Sequence, residues 1–207
     1  MTRTIAILHF DDMEELDAVG PWEVLAYWTR NFSDDGWRVL TASPDGGSVT
    51  AAKGLRIGAD TSWDALPALD VVLHPGGYGT RALLADPAHL DWMRALRATT
   101  LLMTSVCTGS LVYAAAGLLA GRPATTHWES LALLAELDPS IEVRPTHATS
   151  VMATSSRAPA SARASTWRCT SSPAWPIRSA PGRCAAASST TPSHPCSAPG
   201  AIRPCTR

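Results

Sequence analysis

Short apolar runs alternate with helix-spaced segments along the first two thirds of the chain, and this alternation most constrains the fold. TIAILHF (4–10), WRVLTAS (37–43), LDVVLHPGG (69–77) and TLLMTSV (100–106) read as strands, and IEVRP (141–145) starts another. Between them, 16–28, 80–97, 109–120 and 128–137 carry apolar residues at helical spacing. Gly20-Pro21 is expected to interrupt the first turn of the helix over 16–28, and 48–63 reads as a β-ribbon broken at Gly54. Strands that are apolar throughout need cover on both faces, which predicts an α/β fold with a parallel sheet between helices. Sites in such sheets gather at the carboxyl ends of the strands. Three stretches end there: FDDMEELD, HPGGYGT and SVCTGS.

SVCTGS places Cys107 between a strand and a helix, the geometry of a nucleophile elbow. A helix N-terminus behind the thiol is expected to favour the thiolate and lower its pKa. The backbone N–H of Thr108 would face a developing oxyanion, and Gly76-Gly77 would let a second N–H approach. The competing reading is a buried cysteine that packs as a small apolar residue. Asp17 and Glu15 follow the first strand and could shuttle a proton to the thiol; they also fit an ordinary acidic first helical turn. His127, 20 residues after Cys107, could activate it but reads more readily as a loop histidine beside the site. His9, His74 and His89 are isolated in the sequence. No Cys/His spacing suggests a metal site and no phosphate-binding or dinucleotide-binding glycine signature occurs.

Charge divides the chain unevenly. Residues 1–147 hold all 18 acidic and 10 of the 17 basic residues, a net of −8, whereas 148–207 hold seven Arg and no acid, a net of +7. Half of the 16 prolines and four of the five cysteines fall in that last stretch, which is rich in Ala, Ser, Pro, Thr and Arg without helical or strand period. It reads as a low-complexity, disordered tail. The near-neutral whole argues against a nucleic-acid or membrane-surface binder. With no long apolar span, the chain is expected in the cytoplasm.

AILHFDDMEELDAVGPWEVL, VVLHPGGYGT, TSVCTGSLVYAAAGLL and ATTHWESL together resemble the DJ-1/PfpI superfamily, within the class I glutamine amidotransferase-like fold. LDAVGPWEVL with SVCTG and TTHW looks most like its isonitrile hydratase branch, which also resembles the sensor domains of AraC-type regulators. The resemblance implies a flavodoxin-like, Rossmann-like sheet with Cys107 as elbow nucleophile. It makes Asp17 the acid beside the thiol, Thr108 the residue after the nucleophile and Gly77 the oxyanion glycine. It implies a lyase that adds water to an isonitrile through a cysteine thioimidate, giving an N-substituted formamide with no cofactor required. Family members are usually homodimers acting on small molecules, and the first helix often helps form the interface or the site. The alternatives are a glyoxalase- or amidase-like cysteine enzyme, or a ligand-sensing domain without its DNA-binding half.

The resemblance stops near residue 147, where the family continues with a strand, a SAGxxAGID loop, a long helix and an IxYDP-like segment. Reading the codons of the tail one base early, with the first base of each new codon left free, permits YVGDGDVITSA, GV(S/C)AGIDM, ALHLVARLA and DPERARQVRRGIQYDPEPP in order. The expectation is therefore a one-base frame change near His147, with the C-terminal strand and helix lost. Residues 1–147 would then form an incomplete domain with an exposed sheet edge or face. The lost burial could exceed a typical stability of about 5–15 kcal/mol, so poor folding or inactivity is expected.

Overall fold

The structure, a computed structural model, describes residues 2–145 and, as backbone, the strand at 149–153. Its centre is a six-stranded sheet. In chain order the main strands are β1 (Arg3–Leu8), β2 (Trp37–Ser43), β5 (Thr61–Ser62), β6 (Val71–His74), β7 (Leu102–Val106) and β10 (Thr149–Ala153). Across the sheet they run β10-β7-β6-β1-β2-β5. All pairings are parallel except that of β10, which lies antiparallel to β7 with Thr149 opposite Val106 and Ala153 opposite Leu102. The expected parallel α/β sheet is thus present.

Alternation along β1 shows why helices are needed on both faces. Ala6 and Leu8 join a core with Val72, Met93, Met103, Leu111 and Leu134. Ile7 points the other way, to Phe10, Met13 and Ala18, with Trp22 and Leu25 packed against them. The first core is covered by α3 (Pro87–Thr99), α4 (Gly109–Ala115) and α5 (Leu131–Leu137), the second by α1 (Glu15–Asn31).

Several boundaries differ from expectation. Helix α1 runs through Gly20-Pro21 without stopping. Pro21 removes only the helical N–H that would reach the Asp17 carbonyl, one residue's worth of bonding in a 17-residue helix. The helix expected over 80–97 is two, α2 (Thr80–Leu84) and α3, because Asp86 caps α3 by accepting from the Ala88 N–H at 3.0 Å with Pro87 in its first turn. The ribbon is short: β3 (Val49–Thr50) and β4 (Arg56–Ile57) pair antiparallel. The expected strand at 141–145 is β9 (Glu142–Val143), which pairs with β8 (Pro123–Ala124) in a separate two-stranded sheet. The main sheet also does not stop at residue 147, since β10 covers the outer edge of β7. Residues 154–207, the low-complexity tail, the frame change and the lost helix all lie outside the described residues. Among the described residues, no helix is long and apolar enough to cross a membrane.

Two histidines lie in the core. His74 Nδ1 donates to the Pro75 carbonyl at 2.8 Å, while His74 Nε2 and both nitrogens of His89 have no partner. Their rings pack edge-on at 5.8 Å, with Trp63 and Trp92 against His89. Burial, and then the neighbouring His89, push His74 down to about 3; burial pushes His89 down to about 4. Both stay neutral in the fold at pH values where the unfolded chain takes up protons, near 6.5. Stability is therefore complete above pH 6.5 and falls as pH drops below it, by up to about 1.4 kcal/mol per pH unit for each histidine. Melting temperatures between pH 7 and 4.5 should fall with a shallower slope in His89→Phe than in the parent chain; equal slopes would refute this.

Candidate active site

The loop after β6 packs against two others with no room for side chains. A Cβ on Gly76 would lie 2.5 Å from the Thr108 nitrogen and 2.8 Å from the Cys107 Cβ. Gly77 has φ +117°, and its missing Cβ would run into the Asp12–Glu14 backbone. Glu14 N–H donates to the Gly76 carbonyl at 2.9 Å, Gly79 N–H donates to the Asp12 carbonyl at 3.0 Å, and Met13 bridges Gly77. The strand ends of β1, β6 and β7 therefore meet as backbone against backbone.

Cys107 stands at this meeting point, between β7 and α4, with φ +51°. A non-glycine residue there carries strain of order 1–2 kcal/mol, as expected of an elbow. Its carbonyl accepts from the Ser110 and Thr126 hydroxyls, each at 3.3 Å, which holds the turn from both sides. The helix behind it has only seven residues.

Asp17, in the first turn of α1, reaches this point. Its Oδ2 accepts from the Gly76 N–H at 3.0 Å, and its carboxyl faces the Cys107 thiol closely enough for each to shift the other's titration. Burial pushes the Cys107 thiol up, and the charge and hydrogen bond of Asp17 push it further. Hydrogen bonds from the Thr108 backbone and side chain oppose this without overcoming it. The expected lowering of the thiol by the helix N-terminus is thus reversed, because desolvation and a facing carboxylate outweigh one short helix. Burial likewise holds Asp17 above the usual carboxylate range, aided by the Glu14 charge, against the Gly76 amide, the thiol and His127. Thiol and carboxyl form a coupled pair in which each resists losing its proton.

The remaining expected residues divide. Gly77 N–H donates to Thr108 Oγ1 at 2.9 Å and Gly76 N–H to Asp17, so both amides of the glycine pair are engaged inside the protein. The Thr108 N–H stays with the thiol. Glu15 turns away: its carboxylate accepts from the Lys53 N–H at 2.6 Å and sits 3.5 Å from the Lys53 ammonium. Burial alone would raise Glu15, but the Glu15 and Lys53 backbone amides and the Lys53 charge hold it below its ordinary value. His127 is half-buried at the mouth, near enough to act on Asp17 electrostatically, with its Nδ1 3.8 Å from Glu129. No hydrogen bond joins it to Cys107.

Thr80 and Arg81 were not singled out from the sequence. Thr80 Oγ1 donates to the Gly77 carbonyl at 2.7 Å. Arg81 donates to Thr80 Oγ1 at 3.0 Å and to Ser130 Oγ at 3.2 Å, tying the glycine loop to the segment after His127. The available signal was their place directly after the glycines in HPGGYGTR. Among the described residues, no group of three or more His, Cys, Asp or Glu is placed to hold a metal ion.

A mostly parallel sheet with a strained cysteine at a strand-to-helix elbow, met by a carboxyl from the first helix, defines a cysteine-elbow α/β protein. The chain belongs to the DJ-1/PfpI family, whose profile matches residues 3–162. It is 41% identical over 128 residues to an isonitrile hydratase of Pseudomonas putida, a match covering 62% of this chain and 54% of that protein. It is 33% identical over 134 residues to the HTH-type transcriptional regulator CdhR of Pseudomonas aeruginosa, covering 65% of this chain and 38% of the regulator. The chain thus spans about half the length, or less, of these curated relatives. A solved ThiJ/PfpI family protein from Pseudomonas syringae superposes with a TM-score of 0.61 at 33% identity, covering 72% of this chain and 58% of that one.

The close packing has a measurable consequence. Gly76→Ala must displace Thr108 or Cys107 and should cost about 2 kcal/mol or more. A Cβ on Gly58 meets nothing within 4 Å, so Gly58→Ala should change stability by less than about 1 kcal/mol. Urea unfolding of the two variants against the parent measures both, and equal effects would contradict this packing.

Proposed function

We propose that the chain is an isonitrile hydratase-like lyase, converting an isonitrile and water to an N-substituted formamide. The observation that carries this is the Asp17 carboxyl, held by the Gly76 N–H, facing the Cys107 thiol at a strained elbow, with burial holding both above their ordinary pKa values. An isonitrile carbon bears a lone pair and must be protonated as well as attacked. A thiol beside a carboxyl that can take up its proton and pass it on can do both. The Cys107 sulfur bonds to the terminal carbon, a proton passes from the pair through Asp17 to that carbon, and a thioimidate results. Water then adds to the same carbon, a proton moves to nitrogen, and the C–S bond breaks to release the formamide and restore the thiol. The Thr108 N–H lies beside the sulfur, where negative charge passes during attack and departure. The 41% identity to the Pseudomonas putida isonitrile hydratase supports this substrate class.

The reading includes a homodimer in the cytoplasm. Leu16, Val24 and Tyr27 of α1 are exposed, an apolar surface suited to a second copy of the helix. A second reading, a ligand-sensing domain, is favoured by the match to the regulator CdhR. In that case the same crevice would bind a small molecule without turning it over. The tail reading also stands as a proposal: a frame change near His147, with a foreign C-terminal segment.

The test is formamide production from a simple alkyl isonitrile by the purified chain. Cys107→Ala should lose at least about a thousandfold in kcat/KM and Asp17→Asn about a hundredfold. Activity that survives Cys107→Ala would overturn the covalent route. Saturable isonitrile binding with no formamide would favour the sensing domain.

A further inference from the structure

A cation beside the elbow is held entirely by neutral groups. Arg81 Nη1 donates to the Gly77 carbonyl at 3.3 Å and to Thr80 Oγ1 at 3.0 Å, and Nη2 donates to Ser130 Oγ at 3.2 Å. The guanidinium lies over the Tyr78 ring, 5.4 Å from its centroid. These contacts fix the plane of the group and leave its charge unanswered, since among the described residues none of its partners is a carboxylate. They also use three of the five N–H donors of a guanidinium, so Nε–H and one Nη2–H remain. Arg81 is exposed, which leaves those two donors within reach of a ligand.

Its place bears on the thiol. Thr80 Oγ1, which takes the Nη1 hydrogen bond, lies 3.4 Å from Thr108 Oγ1, and Thr108 directly follows Cys107. On the other side, Ser130 ends the segment that begins with Thr126, whose hydroxyl donates to the Cys107 carbonyl at 3.3 Å. Arg81 therefore joins the two segments that flank the elbow. The charges around it are mostly negative: residues 1–147 sum to −8, and Asp17 faces the thiol. Lys53, the cation at the start of α1, is taken up by Glu14 and Glu15. Arg81 is left to meet an anion, and the planar fork of a guanidinium matches a carboxylate.

We propose that Arg81 is a specificity residue of the Cys107 site, holding the carboxylate of a small substrate whose other end reaches the thiol. Combined with the reading of the site as an isonitrile hydratase, on which this substrate class rests, the substrate is an isonitrile whose N-substituent carries a carboxylate. A neutral substituent leaves the two donors to water, and a cationic one faces the guanidinium charge.

The test uses the full chain and two reagents that alkylate a thiol in the same way and differ by one charge, iodoacetate and iodoacetamide. Rates at Cys107 are read at pH 7 by mass spectrometry of the peptide that carries it, because the chain has four other cysteines. The iodoacetate-to-iodoacetamide rate ratio should exceed that of N-acetylcysteinamide by at least about fivefold, despite the facing Asp17. Arg81→Gln should lower the ratio at least about fivefold, and Arg81→Lys, which keeps the charge, should retain at least about half of it. A parent ratio at or below that of the reference thiol, a ratio unchanged in Arg81→Gln, or one as low in Arg81→Lys as in Arg81→Gln would each overturn the proposal. The comparison with the reference thiol needs no variant to fold. The hydratase reading fails separately, on formamide production from an uncharged isonitrile, whatever the alkylation ratio shows.

Discussion

The contact on which the site depends is backbone against backbone. The glycine loop after β6 lies between the β1 loop and the Cys107 turn, where side chains on Gly76, Gly77, Gly79 or Gly109 would meet main-chain atoms. This closeness lets the Gly76 N–H hold Asp17 and lets Thr108 fold its hydroxyl onto Gly77. The ribbon of β3 and β4 braces the β1 loop from outside, with Asp12 N–H donating to the Thr50 carbonyl and Ala52 N–H to the Met13 carbonyl, each at 2.9 Å. The strain at Cys107 is sustained because its neighbours leave it no other conformation.

The electrostatics follow from that packing. A seven-residue helix offers a weak dipole, while a half-buried thiol pays desolvation and faces a carboxylate. The result is a proton-holding pair, where the elbow pattern alone suggests a ready thiolate. On the proposed reading, such a pair suits a substrate that needs a proton at the atom being attacked.

Much of this was legible in the sequence. Period and spacing located the β2 and β7 strands to within two residues, and the glycines and cysteine at strand ends marked the three loops that meet. Cys107, Thr108 and Gly76 were singled out by their places at strand ends, and Asp17 by its place after β1 and by the family resemblance. Other features depend on partners distant in sequence. Glu15 is drawn off by Lys53, 38 residues away, and the Gly77 amide is claimed by Thr108, 31 residues away. Pro21 looked like a helix breaker because the cost of one lost bond is small only when the rest of α1 is packed. The strand β10 was unreadable because its residues pair across the sheet with β7 and carry no alternation of their own.

The pairing of thiol and carboxyl is tested most directly by titrating Cys107, following thiolate absorbance against pH in the parent chain and in Asp17→Asn. The account predicts a midpoint above that of a free thiol, about 8.5, in the parent chain, and a lower one in the variant, where the facing charge is gone. A parent midpoint below the free-thiol value, or one that Asp17→Asn leaves in place, would contradict it.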